Sequence, residues 1–185
     1  MSKDIPTLFE WAGGAEALNR LTQTFYDKVA LDPVIGPVFK HMSPDHPAHV
    51  AAFIGEVFGG PKTYSEKHGG HREMVMHHLG KHLSEEQRRR WINLLADAAD
   101  EIGLPDDPEF RSAFMGYVEW GSRLAKMNST LGETCDPETE PMPAWGWGVP
   151  GGPYKPPASV RSPDRRSRRG WSSSWPAAIP IRHNP

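Results

Sequence analysis

Apolar side chains recur at helical spacing along the first 128 residues, and this periodicity restricts the chain to a helical fold. The strict alternation that marks a half-buried strand does not occur in this region. The apolar stripes consist of Leu18, Leu21, Phe25 and Val29; Val50, Phe53, Ile54, Val57 and Phe58; Trp91, Leu94, Leu95, Ala98 and Ile102; and Phe110, Phe114, Tyr117, Val118 and Leu124. The sequence therefore predicts an all-α domain whose short helices bury these stripes around one core.

Glycine, proline and capping residues mark the ends of the predicted helices. Gly13-Gly14 stops a short first helical turn. Asp32-Pro33 ends the next helix, because the residue before a proline avoids the helical conformation. Gly59-Gly60-Pro61 stops the third helix, and Ser84 begins a later one with a Ser-Glu-Glu-Gln capping box.

The composition changes near residue 140. The first 140 residues carry 14 Lys and Arg against 22 Asp and Glu, whereas the last 45 carry 7 against 1, with ten of the 19 prolines. We predict three parts: a folded domain at 1–130, a Pro/Gly/Trp-rich extension at 131–157 and a basic disordered tail at 158–185. We expect the extension to lie against the core through Trp145 and Trp147.

The single cysteine, Cys135, excludes both an internal disulfide and a CxxCH haem attachment. The sequence shows neither a membrane-spanning run nor a secretory leader, so we expect a soluble cytoplasmic protein. The basic run around Arg165 and Arg168 predicts no specific nucleic-acid or membrane partner, since such runs are more often solvated chain ends.

Eight of the nine histidines lie between His41 and His82. We predict a polar loop after the third helix and then a short helix at about 73–79, which carries His77 and His78. A neutral imidazole in an apolar helical pocket is the axial ligand that haem iron requires. His78 and His82 are also spaced like a zinc pair, but no third ligand stands at a convincing position. The histidines thus predict a haem site, with a non-haem metal-dependent hydrolase as an alternative.

The order of these features resembles the truncated haemoglobins, in particular their group II branch. The resemblance covers about residues 5–128 and rests on an ordered set of motifs: Gly13-Gly14, Phe25-Tyr26, Phe39, Phe53, Gly59-Gly60-Pro61, the string TYSEKHGGH at 63–71, His78 and Trp91. It implies a two-over-two helical sandwich that binds one haem b, iron protoporphyrin IX, per chain.

The resemblance also implies roles for individual residues. His78 corresponds to the proximal iron ligand, and Tyr26 and Trp91 correspond to distal donors to a bound diatomic ligand. His46 and Val50 occupy positions of the distal helix that face this ligand. The other haem contacts implied by the resemblance are Phe39, Phe53, Tyr64 and Met74.

The chain departs from the family pattern at three places. His77 stands where some relatives have arginine, and Leu79-Gly80-Lys81 replaces a more apolar stretch. Phe39 replaces a tyrosine of some members and cannot make the hydrogen bond that the tyrosine makes.

These assignments predict a haem protein that reversibly binds oxygen, NO or CO at a pentacoordinate iron, and that serves in oxygen handling or redox and NO detoxification. Two distal donors predict slow oxygen release. The alternative is a peroxidase or NO dioxygenase with a separate reductase, since the chain carries no flavin or NAD motif. A homodimer is a further expectation.

The partner of the second ring nitrogen of His78 distinguishes these functions. A backbone carbonyl at this nitrogen favours oxygen binding, whereas a carboxylate pushes electron density to the iron and favours peroxidase chemistry. The sequence alone does not identify this partner.

Overall fold

The computed structural model describes residues 5–132 and 141–148, and all the regular secondary structure within them is helical. Seven α-helices and one 3-10 turn occur in these residues: α1 (Leu8–Ala12), α2 (Gly14–Leu31), the 3-10 turn (Gly36–Phe39), α3 (His46–Val57), α4 (Thr63–His68), α5 (Gly70–Met76), α6 (Glu85–Glu101) and α7 (Pro108–Asn128). The predicted all-α fold is confirmed.

Capping residues explain where several of the helices begin and end. Thr7 caps α1 with a capping box, and Gly13 ends it in the left-handed conformation at φ 101°. Ser84 caps α6 with the predicted capping box, in which its hydroxyl accepts from the backbone N–H of Gln87 at 3.0 Å. The predicted stop at Asp32 is also confirmed, because α2 ends at Leu31.

The helices pack in two pairs. α2 lies against α3, α6 lies against α7, and α2 also contacts α6, so that the two pairs share one core. Phe25, Phe58, Phe110 and Phe114 are fully buried at its centre. Gly60 permits the return of the chain after α3, because a Cβ there would lie 2.8 Å from the ring of Phe9.

Three details of the predicted helices are wrong. The polar loop expected after Pro61 contains helix α4, which is stabilised by the bond from the backbone N–H of Ser65 to the carboxylate of Glu56 at 2.9 Å. The helix predicted at 73–79 is α5, which begins and ends earlier, so His77 and His78 follow it in a turn. Leu124, expected in the core, is half-buried.

The predicted boundaries of the three chain parts stay a prediction, and the tail at 158–185 and Cys135 lie outside the described residues. Within the described residues, no helix combines the length and apolarity that a membrane span needs. The described piece of the extension, 141–148, lies on the core.

Trp145 and Trp147 attach this piece of the extension to three parts of the domain. The backbone N–H of Trp145 donates to the carbonyl of Val57 at 2.9 Å, and its indole N–H donates to the carbonyl of Ala113 at 2.9 Å. The indole N–H of Trp147 donates to the carbonyl of Pro6 at 2.7 Å. The extension therefore connects Pro6 to the end of α3 and to the first part of α7.

We expect Trp145→Ala to lower the free energy of unfolding by about 2 kcal/mol, because a half-buried aromatic ring and its hydrogen bond are lost. Trp145→Phe keeps a ring and should cost about 1 kcal/mol. Urea unfolding measures both. Met127→Ala is the control, because Met127 is 61% exposed and should change stability by less than about 0.5 kcal/mol. Equal effects of Trp145→Ala and Met127→Ala would contradict the docking.

Candidate haem site

His78 is oriented by a backbone carbonyl one turn earlier in the chain. Its Nδ1 lies 2.8 Å from the carbonyl oxygen of Met74. Because a carbonyl can only accept, Nδ1 carries the proton and Nε2 of the neutral ring keeps a free lone pair. Burial lowers the pKa of His78, although the bond to Met74 opposes this shift. His78 thus presents the unprotonated nitrogen that a metal ion needs.

The loop after His78 is fastened to the end of α7. The backbone N–H of Gly80 donates to the carbonyl of Leu131, and that of His82 donates to the carbonyl of Ser129, both at 2.9 Å. The hydroxyl of Ser129, which is fully buried, accepts from the backbone N–H of Leu83 at 2.9 Å. These bonds hold the loop against the end of α7.

Tyr26, His46 and Phe39, which are predicted distal residues and haem contacts, form a second cluster. The hydroxyl of Tyr26 lies 2.9 Å from Nε2 of His46. The Phe39 ring meets the Tyr26 ring edge-on, with 5.3 Å between the ring centroids, and lies 6.0 Å from the His46 ring. Three predicted site residues, from α2, the 3-10 turn and α3, are therefore in mutual contact.

Both partners of the Tyr26–His46 bond are neutral near pH 7. Burial raises the pKa of Tyr26 above its ordinary value. Burial, followed by the neighbouring imidazoles of His77, His49 and His78, lowers the pKa of His46 to about 4. The hydrogen bond therefore joins a neutral phenol to a neutral imidazole.

The remaining predicted haem contacts provide apolar surface. Trp91 on α6 packs edge-on against Phe25, with 5.3 Å between centroids. Phe53 and Tyr64 are buried and meet edge-on at 5.0 Å. The half-buried members of the set are Phe39, Val50, Met74 and Trp91.

These residues fit a haem. The half-buried side chains pack on the core with one part and leave apolar surface on the other, which a flat apolar macrocycle would cover. His78 supplies a neutral nitrogen donor, and its geometry is fixed by a carbonyl.

A cavity of about 680 Å³ lies beside this site, between the end of α2 and the 3-10 turn. Tyr26, Phe39 and Met42 line it, whereas His78 and Trp91 do not. It is therefore a neighbouring space and not the cleft between the two sides of the site.

The zinc alternative is not supported. His78 and His82 do not share a helix, because both follow the end of α5, and His82 has φ 48°. Among residues 5–132 and 141–148, no group of three His, Cys, Asp or Glu side chains could hold a metal ion.

Sequence reasoning missed two contacts near the site. The carboxylate of Asp32 binds Arg90, which lies 58 positions later. The rings of His49 and His68 lie 4.1 Å apart between centroids, with Asp45 beside His49 at 3.3 Å. No local pattern announces either contact, although an aspartate before a proline at the end of α2 is a signal for a turn cap.

Comparison with known proteins gives the family. The model of the bacterial-like globins matches residues 7–119. The group 2 truncated hemoglobin YjbI of Bacillus subtilis is 32% identical over 110 residues, which cover 60% of this chain and 81% of that protein. The chain belongs to the bacterial-like globin family, as a truncated haemoglobin of the group II branch.

Solved structures agree with this assignment. The hemoglobin of Chloroflexus aurantiacus is 30% identical, with a TM-score of 0.58 over 65% of this chain and 97% of that one. The truncated oxygen-avid haemoglobin of Bacillus subtilis is also 30% identical, with a TM-score of 0.58 over 65% and 98% of the two chains. The predicted truncated-globin fold and the predicted haem b cofactor are thereby confirmed, and the chain is a haem protein that binds small ligands.

We expect His46 to make stability depend on pH. Its pKa of about 4 in the folded chain lies below the ordinary value of 6.5, so the unfolded chain takes up this proton first as the pH falls. The contribution of His46 to the free energy of unfolding is therefore complete above about pH 6.5 and is lost between pH 6.5 and pH 4. The loss should be about 1 kcal/mol, because the half-buried ring is partly screened by solvent.

Unfolding by urea at several pH values, in wild type and in His46→Gln, measures this contribution as the difference between the two proteins. The exposed His41, changed to Gln, is the matched control and should follow the wild type. Identical pH profiles for wild type and His46→Gln would contradict the assignment.

Proposed function

We propose that this chain reversibly binds oxygen and other diatomic ligands at a pentacoordinate haem iron held by His78, and that it serves in oxygen handling or redox and NO detoxification. The observation that carries the proposal is the 2.8 Å contact between Nδ1 of His78 and the carbonyl of Met74. The haem, when bound, supplies the iron at which a diatomic ligand is held.

The carbonyl partner favours binding over peroxide chemistry. A backbone carbonyl fixes the imidazole ring and its tautomer but adds little negative charge, whereas a carboxylate would make the ring a stronger electron donor. The charge available at Nε2 of His78 is therefore that of an ordinary neutral imidazole. A peroxidase or NO dioxygenase with a separate reductase remains the alternative, and a homodimer remains a prediction.

The distal residues supply two donors of unequal availability. The Trp91 indole is half-buried, and its N–H stabilises a partial negative charge on a ligand within reach. The phenol of Tyr26 is a stronger acid than neutral imidazole, so we assign its proton to the bond with Nε2 of His46. His46 thus competes with a bound ligand for the Tyr26 proton, and Trp91 is the donor that stays available.

The axial role of His78 is tested by His78→Gly. We expect the variant to lose the Soret band after titration with haem, because the imidazole that Met74 orients is gone, and to regain it when free imidazole is added. His77→Gly is the matched control, because the neighbouring His77 ring is 66% exposed and should not be required. A His78→Gly variant that binds haem with an unchanged spectrum would show that another residue is the ligand.

The distal roles are tested by the rate of oxygen release. We expect Trp91→Phe to speed release by about tenfold, the effect of one lost hydrogen bond to a charged ligand. His46→Leu should slow release, because Tyr26 then donates to the ligand alone.

Stopped-flow displacement of oxygen by CO measures both rates. Tyr117→Phe is the control, since Tyr117 is a buried tyrosine of α7 that contacts Phe58 and Trp145 instead. An unchanged rate in Trp91→Phe would exclude the indole as a donor, and faster release in His46→Leu would mean that His46 donates.

A further inference from the structure

We propose that Asp32 and Arg90 are a positioning pair that sets the distance between two distal walls of the site, Phe39 and Trp91. The importance of Trp91 for ligand binding rests on the function proposed above. The effect of the Asp32–Arg90 pair on the positions of Phe39 and Trp91 does not. Neither Asp32 nor Arg90 is among the site residues that the sequence predicts.

The Asp32 carboxylate joins three chain segments at one buried point. Its side chain is only 3% exposed. Oδ1 accepts from the backbone N–H groups of Val34 and Ile35, both at 3.0 Å, and Oδ2 accepts from Nε of Arg90 at 2.5 Å. Burial alone would raise the pKa of Asp32, but these donors outweigh it and hold the pKa below its ordinary value. The carboxylate is therefore charged and accepts three hydrogen bonds.

Asp32 is connected to Phe39 through the 3-10 turn. The carbonyl of Asp32 also accepts from the backbone N–H of Gly36 at 2.9 Å, where the 3-10 turn begins. Ile35, next to it, is buried at 2% exposure. The turn ends at Phe39, whose ring lies against Tyr26. A rotation of the Asp32 carboxylate would therefore displace the turn that carries Phe39.

Asp32 is connected to Trp91 through Arg90. Arg90 directly precedes Trp91 on α6. A displacement of the Arg90 side chain is therefore transmitted to the backbone next to the indole. The Arg90 side chain is 44% exposed, and without a partner it would adopt many rotamers. Its bond to a buried carboxylate selects one of them. Removing the guanidinium would leave Asp32 as a buried charge, which the turn must relieve by moving.

The adjacent Arg89 provides a matched comparison. It also pairs with a carboxylate, Glu85 at 3.0 Å, but its side chain is 73% exposed and the pair stays within α6. Arg89→Gln therefore removes the same charge from the same helix without touching the turn that carries Phe39.

The experiment compares Arg90→Gln, Arg90→Lys and Arg89→Gln in the haem-loaded, CO-bound protein. The NMR signal of the Trp91 indole N–H, assigned with Trp91→Phe, reports the position of the indole. Hydrogen exchange of the Val34 and Ile35 amides reports the turn. We expect Arg90→Gln to shift the indole signal and speed both exchanges severalfold, Arg90→Lys to restore them in part, and Arg89→Gln to match the wild type.

Oxygen release, measured on the same proteins, separates the two proposals. If Trp91→Phe leaves release unchanged, the donor role of Trp91 fails, while the indole signal and amide exchange still test the positioning pair. If Arg90→Gln leaves both of these readouts at wild-type values, the positioning pair is wrong. Asp32→Asn, which keeps an acceptor for Val34 and Ile35, is the second variant should Arg90→Gln not fold, and the same two readouts must change in it.

Discussion

The packing of α2 against both α3 and α6 is the constraint on which the rest of this structure depends. α2 must bury Phe25 completely in the core and at the same time carry the neighbouring Tyr26 to the site. Adjacent residues on a helix point about a quarter-turn apart, so one helix can do both only at the junction of two neighbours. α3 supplies His46 to Tyr26, and α6 supplies Trp91 to Phe25. The packing of α2 against α3 and α6 therefore also positions the distal residues.

Sequence patterns predicted the parts of the fold that are encoded locally. The stripe at Leu18, Leu21, Phe25 and Val29 follows a helix face directly, and Ser84 carries its capping box within four residues. Helix α4 was missed because its sequence is polar, and its order comes from Glu56 on the preceding helix. The early end of α5 was missed for a similar reason, since the loop after it is held by Ser129 on α7.

The site could be predicted only in its residue types. The resemblance placed His78, Tyr26 and His46, but the hydrogen bonds that decide what they do are set by the fold. A carbonyl at Nδ1 of His78 fixes its tautomer, and burial keeps His46 neutral as a partner for the Tyr26 phenol. The link between Asp32 and Arg90 spans 58 positions and has no counterpart in any local pattern.

The two sides of the site are held by different kinds of bond, and this difference bears on function. The loop after His78 is fixed by backbone hydrogen bonds to the end of α7 and by one buried serine, which carry no charge. The distal side depends on a buried carboxylate and a half-exposed guanidinium, whose interaction responds to substitution at either end. These uncharged bonds hold the loop that follows the His78 ring, and no side-chain charge takes part in them. The ion pair leaves the distal walls as the part of the site that single substitutions can adjust.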